Sequence, residues 1–358
     1  MQKVLVAMSG GVDSSITAHL LKEKGYEIIG VTMQIWPEDQ PPAENEAGCC
    51  SLSAVDDARS VANKLGIPFY VVNFRSIFKE KVIDYFIEEY MQGRTPNPCI
   101  ACNKQVKFDA LLGRAHQLGL DFIATGHYSR IYYDQDRKRY LMKKAVDLNK
   151  DQTYVLYAFT QEQLSKTLMP LGDFTKPQIR SMAQDLKLKV ANKPESQEIC
   201  FVPNNNYRDF LQSKVDSIKK GPFLDIHGNK IGTHEGIPFY TIGQRKGLGL
   251  ALGYPAYVVD ILPDRNAVVI GKQEDVFSNG LYSYYNNFIL FDNLQESMKV
   301  QAKIRYKSEP VDAMIYPENN RVKVEFAEPV KAITPGQAVV YYLDDLVVGG
   351  GTIGEKII

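Results

Sequence analysis

The sequence has no charge of either sign to spare: 42 Lys and Arg are balanced by 42 Asp and Glu over 358 residues. Net electrostatics therefore draws no polyanion to the chain, and any contact with nucleic acid must come from local patches. It also lacks an apolar run of membrane-spanning length, and no basic leader followed by an apolar segment precedes its first strand. A cytoplasmic protein with no membrane contact is expected. Repeats and low-complexity tracts are absent as well. Cysteine is scarce and odd in number, at Cys49, Cys50, Cys99, Cys102 and Cys200. Without a secretory signal, that set points to reactive or metal-binding thiols rather than a disulfide framework. At 44% hydrophobic and 23% charged residues, the chain suits a globular protein of two or three domains.

What is present begins with Ser9-Gly10-Gly11-Val12-Asp13-Ser14-Ser15, between the apolar run Val4 to Met8 and a helical pattern through Ile16, Leu20 and Leu21. Strand, tight glycine loop and helix start follow one another. Paired glycines let backbone approach a ligand, and free N–H groups at a helix start favour an anion, so the loop is read as a phosphate cradle. It lacks the lysine of a Walker A loop and the spacing of a dinucleotide site. Asp13 instead puts a carboxylate beside the phosphates, where a magnesium ion is expected.

Strands at Glu27 to Met33, Phe69 to Val72 and Phe122 to Ala124 alternate with helices, which implies a doubly wound parallel sheet. Ligands of such sheets lie at the carboxyl ends of the strands. The Gly loop, Met33 and Gly126-His127 all fall there. Met33 is read either as core or as a contact to adenine, and His127 as a site residue. Pro37 to Gly48 reads as a loop, and Ser53/Asp56, Thr160/Gln163 and Thr175/Gln178 have capping-box spacing. A hairpin is expected around Asp134-Gln135-Asp136. Beyond Tyr207 no helix of consequence is expected, and alternation at Val300, Ala302, Ile304 and at Val322, Val324, Phe326 predicts an antiparallel barrel. The expected domains are 1–206, 207–279 and 280–358.

Thr95-Pro96-Asn97-Pro98-Cys99-Ile100-Ala101-Cys102-Asn103-Lys104 places a C-x-x-C before a helix, whose N-terminus would stabilise a thiolate at Cys102. A thioredoxin-type redox pair and half of a zinc site are the alternatives. Cys49 and Cys50 read as inert. Arg245-Lys246 in a glycine-rich turn, with Lys303, Arg305, Tyr306 and Lys307, combine cations for phosphates with an aromatic for stacking.

Ser-Gly-Gly-x-Asp-Ser resembles the loop of N-type ATP pyrophosphatases. Thr-Pro-Asn-Pro-x-x-x-Cys-Asn-Lys, Ser196 to Phe201, Lys150-Asp151-Gln152, Gly243 to Gly249 and Pro335-Gly336-Gln337 narrow the resemblance to the tRNA-specific 2-thiouridylases, along the whole chain. That resemblance implies a Rossmann-like ATP pyrophosphatase domain, a small central β domain and a C-terminal β-barrel that binds tRNA. It implies ATP at Ala7, Met8, Ser9, Gly10, Gly11, Val12, Asp13, Ser14, Met33 and Gly126. It implies tRNA at Asn97, Pro98, Cys99, His127, Lys150, Asp151, Gln152, Arg305, Tyr306 and Gln337. Cys102 would be the nucleophile and Cys200 the persulfide carrier, released by a Cys102–Cys200 disulfide, with a sulfur-donor or sulfur-relay protein as partner and a monomer as the expected state. Adenylation of the wobble uridine oxygen turns a poor leaving group into AMP, which accounts for ATP beside thiols. The chain departs from the family at Cys99, where better-known members have Asp. Either a persulfide relay or an iron-sulfur cluster on Cys99, Cys102 and Cys200 fits that departure. A small-molecule ATP pyrophosphatase of the amidating type and a non-catalytic tRNA-binding scaffold are the rival functions.

Overall fold

The computed structural model describes residues 1–36, 52–194 and 199–357. Cys49, Cys50, the Pro37 to Gly48 stretch and Ser196 to Glu198 lie outside the described residues. The described chain forms two compact units, one of residues 1–83, 98–205 and 345–347, the other of 84–97, 206–344 and 348–358. No helix among the described residues is long and apolar enough to cross a membrane.

The first unit is built on five parallel strands, β1 (Lys3–Ala7), β2 (Glu27–Gln34), β3 (Phe69–Asn73), β4 (Phe122–Ala124) and β7 (Thr167–Leu168), in the order β3-β2-β1-β4-β7. β1 is central because its residues are apolar on both faces: Val4, Leu5 and Val6 are all buried. Val4, Val6 and Met8 pack with Ile16 and Leu21 of helix Val12–Glu23, with Ala58 and Ala62 of helix Leu52–Leu65, and with Ile179 and Ala183 of helix Lys176–Asp185. The hairpin expected around Asp134 forms from β5 (Ser129–Asp134) and β6 (Arg139–Lys144). The Thr160/Gln163 and Thr175/Gln178 capping boxes both form, each contributing about 1 kcal/mol to its helix start. The helix expected after Ser53 begins at Leu52, so Ser53 lies inside it.

In the second unit a four-stranded sheet runs β10 (Tyr257–Leu262), β11 (Ala267–Gly271), β8 (Gly221–Leu224), β9 (Lys230–His234). Strands β12 (Phe277–Phe288), β13 (Met298–Lys303), β14 (Val311–Glu318), β15 (Arg321–Lys331), β16 (Ala338–Leu343) and β17 (Leu346–Ile357) then close into an antiparallel barrel, in the order β12-β15-β14-β13-β16-β17 with β12 returning to β17. The period-2 pattern directs Val300, Ala302, Ile315, Val322 and Val324 to its core. One expectation fails here: Tyr207–Lys214 is a helix, capped by the Asn206 side chain accepting from the Asp209 N–H.

Candidate active site

The chain leaves β1 through Met8 and Ser9 into Gly10, at φ +67°. A Cβ at Gly10 would stand 2.2 Å from the Ala54 carbonyl oxygen, so both conformation and space require glycine there. Gly11 is different. Its φ of −100° suits any residue, and among the described residues a Cβ there would meet only Ser9 Oγ, at 3.5 Å. The second glycine thus leaves the mouth of the loop open, at the positive end of helix Val12–Glu23. The hydroxyls are turned inward: Ser14 and Ser15 donate to the Gly11 carbonyl at 3.2 and 2.8 Å, and the Ser9 N–H donates to Ser14 Oγ at 3.1 Å. Backbone N–H groups and the helix end, rather than hydroxyls, face an incoming anion. From the end of β4, Gly126 closes on the loop so tightly that a Cβ would lie 2.8 Å from the Ser14 nitrogen. The sheet therefore brings Gly126 to the glycine loop, as its strand-end position predicts. Met33 is half-buried near the carboxyl end of β2.

The cation missing from the loop sequence arrives from elsewhere. Lys176, the first residue of its helix, places Nζ 2.8 and 2.7 Å from the two carboxylate oxygens of Asp13, and Tyr128 donates its hydroxyl to Asp13 Oδ1 at 2.8 Å. The Lys176 side chain is 7% exposed and that of Asp13 29%. A second ammonium, of Lys193, donates to the Gly10 carbonyl at 3.2 Å and pairs with Asp57 at 2.6 Å. Neither lysine is detectable from the loop, since both are more than 160 residues away; only a lysine at a capped helix start hinted at Lys176. Both oxygens of the carboxylate at which magnesium is expected thus face an ammonium.

Behind the loop, Gln152 holds Tyr128 on both sides, accepting from its N–H at 2.9 Å and donating to its carbonyl at 3.0 Å. The Asp151 carboxylate accepts from the Ala145 N–H at 3.0 Å and the Thr153 hydroxyl at 2.6 Å. His127 is buried, its Nδ1 2.8 Å from Thr125 Oγ1 and its ring beside Phe108. Burial, reinforced by Lys107, holds it well below the usual imidazole range, so it is neutral.

The thiols of this unit are placed differently from the expectation. The helix opens at Pro98, a favoured first position, which puts Cys99 at the helix end and Cys102 a turn inside, where a wider π-type winding runs over Cys102–Ala110. The helix-end effect foreseen for Cys102 thus falls near Cys99, which is exposed; Cys102 and Cys200 are half-buried, and none of the three is in a disulfide. Among the described residues no three His, Cys, Asp or Glu side chains stand together as a metal site. Cys99, Cys102 and Cys200 therefore do not fit an iron-sulfur cluster as they stand, and among the described residues the zinc alternative has no ligand set either.

In the second unit, Arg305 turns inward, its Nη2 donating to the carbonyls of Ile242 and Ala332 at 3.1 and 3.0 Å and to Thr334 Oγ1 at 2.8 Å. Tyr306 and Lys307 are exposed beside it, as are Arg245 and Lys246 in the Gly243 to Gly249 turn. Gln337 donates its amide to the carbonyls of Thr95 and Pro96 at 2.9 and 3.3 Å.

A glycine phosphate loop at the head of the central parallel strand, with a cation held at its helix start, defines a nucleotide-binding α/β enzyme. The family model described as tRNA methyl transferase HUP domain matches residues 2–204, followed by the tRNA methyl transferase PRC-barrel domain over 208–272 and the aminomethyltransferase beta-barrel domain over 279–353. The chain belongs to the tRNA-specific 2-thiouridylase family. It is 59% identical to the tRNA-specific 2-thiouridylase MnmA of Desulforamulus reducens over 359 residues, covering 99% of this chain and 98% of that protein. The MnmA of Moorella thermoacetica is 59% identical over 98% of both chains, and that of Acetivibrio thermocellus 58% identical over 98% of this chain and 99% of its own. Among solved structures, the U34-tRNA thiolase NcsA of Methanococcus maripaludis overlaps 55% of this chain and 61% of its own at 19% identity and a TM-score of 0.35, a likeness too slight to argue from.

Proposed function

We propose that the protein is an ATP-dependent tRNA sulfurtransferase that replaces the C2 oxygen of the wobble uridine by sulfur. The observation that carries this reading is the presence, in one unit, of a glycine loop flanked by Lys176 and Lys193 and of the thiols Cys102 and Cys200. Of the chemistries named among the matches, methyl transfer, aminomethyl transfer and thiolation, only the last gives work to both the loop and the thiols.

ATP binds with its phosphates at the N–H groups of Gly10 to Ser14. The uridine C2 oxygen attacks the α-phosphorus, the bond to the β-phosphate breaks, and pyrophosphate leaves with its charge facing the loop and helix end. A persulfide on Cys200 attacks C2, and AMP departs carrying the former uridine oxygen. The Cys102 thiolate then attacks the Cys200 sulfur, which releases 2-thiouridine and leaves a Cys102–Cys200 disulfide for an external dithiol to reduce. A sulfur-donor protein must load Cys200 for each turnover. Asn97, Pro98 and Cys99 hold the extruded base in this scheme, and Lys150, Tyr306 and Lys307 contact the tRNA; taking a base out of an anticodon loop costs little because the base is already unpaired. The relay needs two thiols of this chain, Cys102 and Cys200, and no third ligand grouped with them, which favours it over the cluster.

The test uses tRNA whose wobble uridine carries oxygen-18 at C2. Label recovered in AMP is the expected result; unlabelled AMP means that the uridine oxygen is never adenylated. ATP turnover that ignores tRNA altogether would point instead to a small-molecule substrate.

A further inference from the structure

We infer that the barrel turn Pro335-Gly336-Gln337 is a positioning device for the cysteine segment, with Gln337 a positioning residue for sulfur transfer. The inference rests on the thiolation reading for its functional consequence and on geometry within the second unit for its mechanism. Residues 84–97 belong to that unit. Tyr90 stacks on Tyr207 at 5.0 Å, Phe86 packs edge-on to Phe210 at 6.2 Å, and Arg94 reaches back to Glu89 with both arms of its guanidinium, Nε donating to Oε2 at 2.8 Å.

The chain then enters Thr95, and every polar group of that residue is engaged. Its N–H donates to the Pro335 carbonyl at 2.9 Å, its carbonyl accepts from Gln337 Nε2 at 2.9 Å, and its hydroxyl meets that of Thr241 at 3.2 Å. The same Gln337 amide also reaches the Pro96 carbonyl at 3.3 Å. Gly336 makes this approach possible. At φ +88°, a Cβ on it would stand 3.0 Å from the Thr95 oxygen and 3.1 Å from Arg94 Cβ. The turn itself is braced, since the Gln337 N–H donates to the Thr334 carbonyl at 3.2 Å while Arg305 donates to the Thr334 hydroxyl.

Only Asn97 and Pro98 separate this anchor from Cys99. Prolines at 96 and 98 lock φ on either side of Asn97, so little freedom remains between the anchored carbonyl and the helix start that leads to Cys102. Removing the two amide N–H donors of Gln337 frees the entry to the cysteine segment while leaving the phosphate loop, in the other unit, untouched. Adenylated uridine then waits longer for sulfur, and water takes the place of the persulfide, which returns uridine and AMP.

The experiment compares the wild-type protein with Gln337→Glu, which keeps the shape but turns an acceptor toward two carbonyls, and with the milder Gln337→Ala. AMP and 2-thiouridine are counted in the same reaction with ATP, tRNA and a persulfide donor, and exchange of the Thr95 amide hydrogen is followed by NMR without substrates. The expected result is a ratio of AMP to 2-thiouridine raised roughly tenfold in Gln337→Glu and less in Gln337→Ala, with faster exchange at Thr95 in both. If Gln337 acts only as an RNA contact, the two products fall together at an unchanged ratio and Thr95 exchange is unaltered, which overturns the inference. Should the wild-type protein form no 2-thiouridine while exchange still rises in the variants, the positioning stands and the thiolation reading falls.

Discussion

Replacing Lys176 by Met leaves the Asp13 carboxylate without the ammonium that meets both of its oxygens. Removing one partner of a buried ion pair costs about 3–5 kcal/mol, because a charge is left behind without compensation. Asp13 is 29% exposed and keeps the Tyr128 hydroxyl, so part of that penalty is relieved. A loss of about 2–3 kcal/mol is expected, equivalent to melting of the first unit about 4–12 °C lower. The double variant Asp13→Asn/Lys176→Met carries no charge at the pair and should recover to within about 1 kcal/mol of wild type, a coupling that additive effects would contradict. Turnover separates structure from chemistry. If the ammonium also serves the phosphates, tRNA-dependent release of AMP falls roughly 100-fold in Lys176→Met and does not recover in the double variant. Denaturant titration and AMP release on the same three proteins decide the matter; a double variant that regained turnover would reduce Lys176 to a structural ion-pair partner.

Gly10→Ala, at φ +67° and against the Ala54 carbonyl, should destabilise the first unit by at least about 2 kcal/mol in a thermal melt. Gly11→Ala should instead melt normally and lose nucleotide turnover. In the second unit, the Gly236 N–H donates to His234 Nδ1, so Nε2 carries the proton given to the Asn266 carbonyl, and burial lowers this imidazole below its ordinary value of 6.5. The unfolded chain therefore binds the extra proton first. Stability contributed by His234 is present above pH 6.5 and lost as pH falls through its folded value, so the urea midpoint of this unit should drop on acidification and the ring should titrate below 6.5 by NMR. A normal titration would contradict this. Lys246→Ala with Lys307→Ala should make the salt dependence of tRNA binding shallower by about 1–2 in log–log slope, and an unchanged slope would make them solvated charges.

Local patterns were the legible part. β1, its glycine turn and the following helix, the alternating strands and helices, the capping boxes at Thr160 and Thr175, and the closed barrel all rest on periodicities of a few residues, which the sequence displays directly. The ion pair at Asp13 was not legible, because Lys176 lies 163 residues away and only the sheet topology brings it there. Nor was the membership of residues 84–97 in the second unit, since one helical periodicity runs unbroken through Val82, Phe86 and Tyr90 while the packing partners change from one unit to the other. At Cys102 the helix was expected to begin after the C-x-x-C, whereas Pro98 occupies a first helical position that needs no N–H and starts the helix early. Arg305, Asp151, Gln152 and Gln337 share a different lesson: each reads as a polar contact for RNA, and each makes hydrogen bonds to this protein's own backbone.

The central claim is that two thiols and an adenylating loop suffice for thiolation. The most direct measurement gives metal-free, chelator-treated enzyme a persulfide donor, ATP with magnesium, and unmodified tRNA, and quantifies wobble 2-thiouridine by mass spectrometry in the wild type and in Cys99→Ala, Cys102→Ala and Cys200→Ala. The relay predicts full thiolation by the wild type, substantial activity in Cys99→Ala, and none in Cys102→Ala or Cys200→Ala. An enzyme inactive until an iron-sulfur cluster is rebuilt, with Cys99→Ala as dead as the other two, would contradict it.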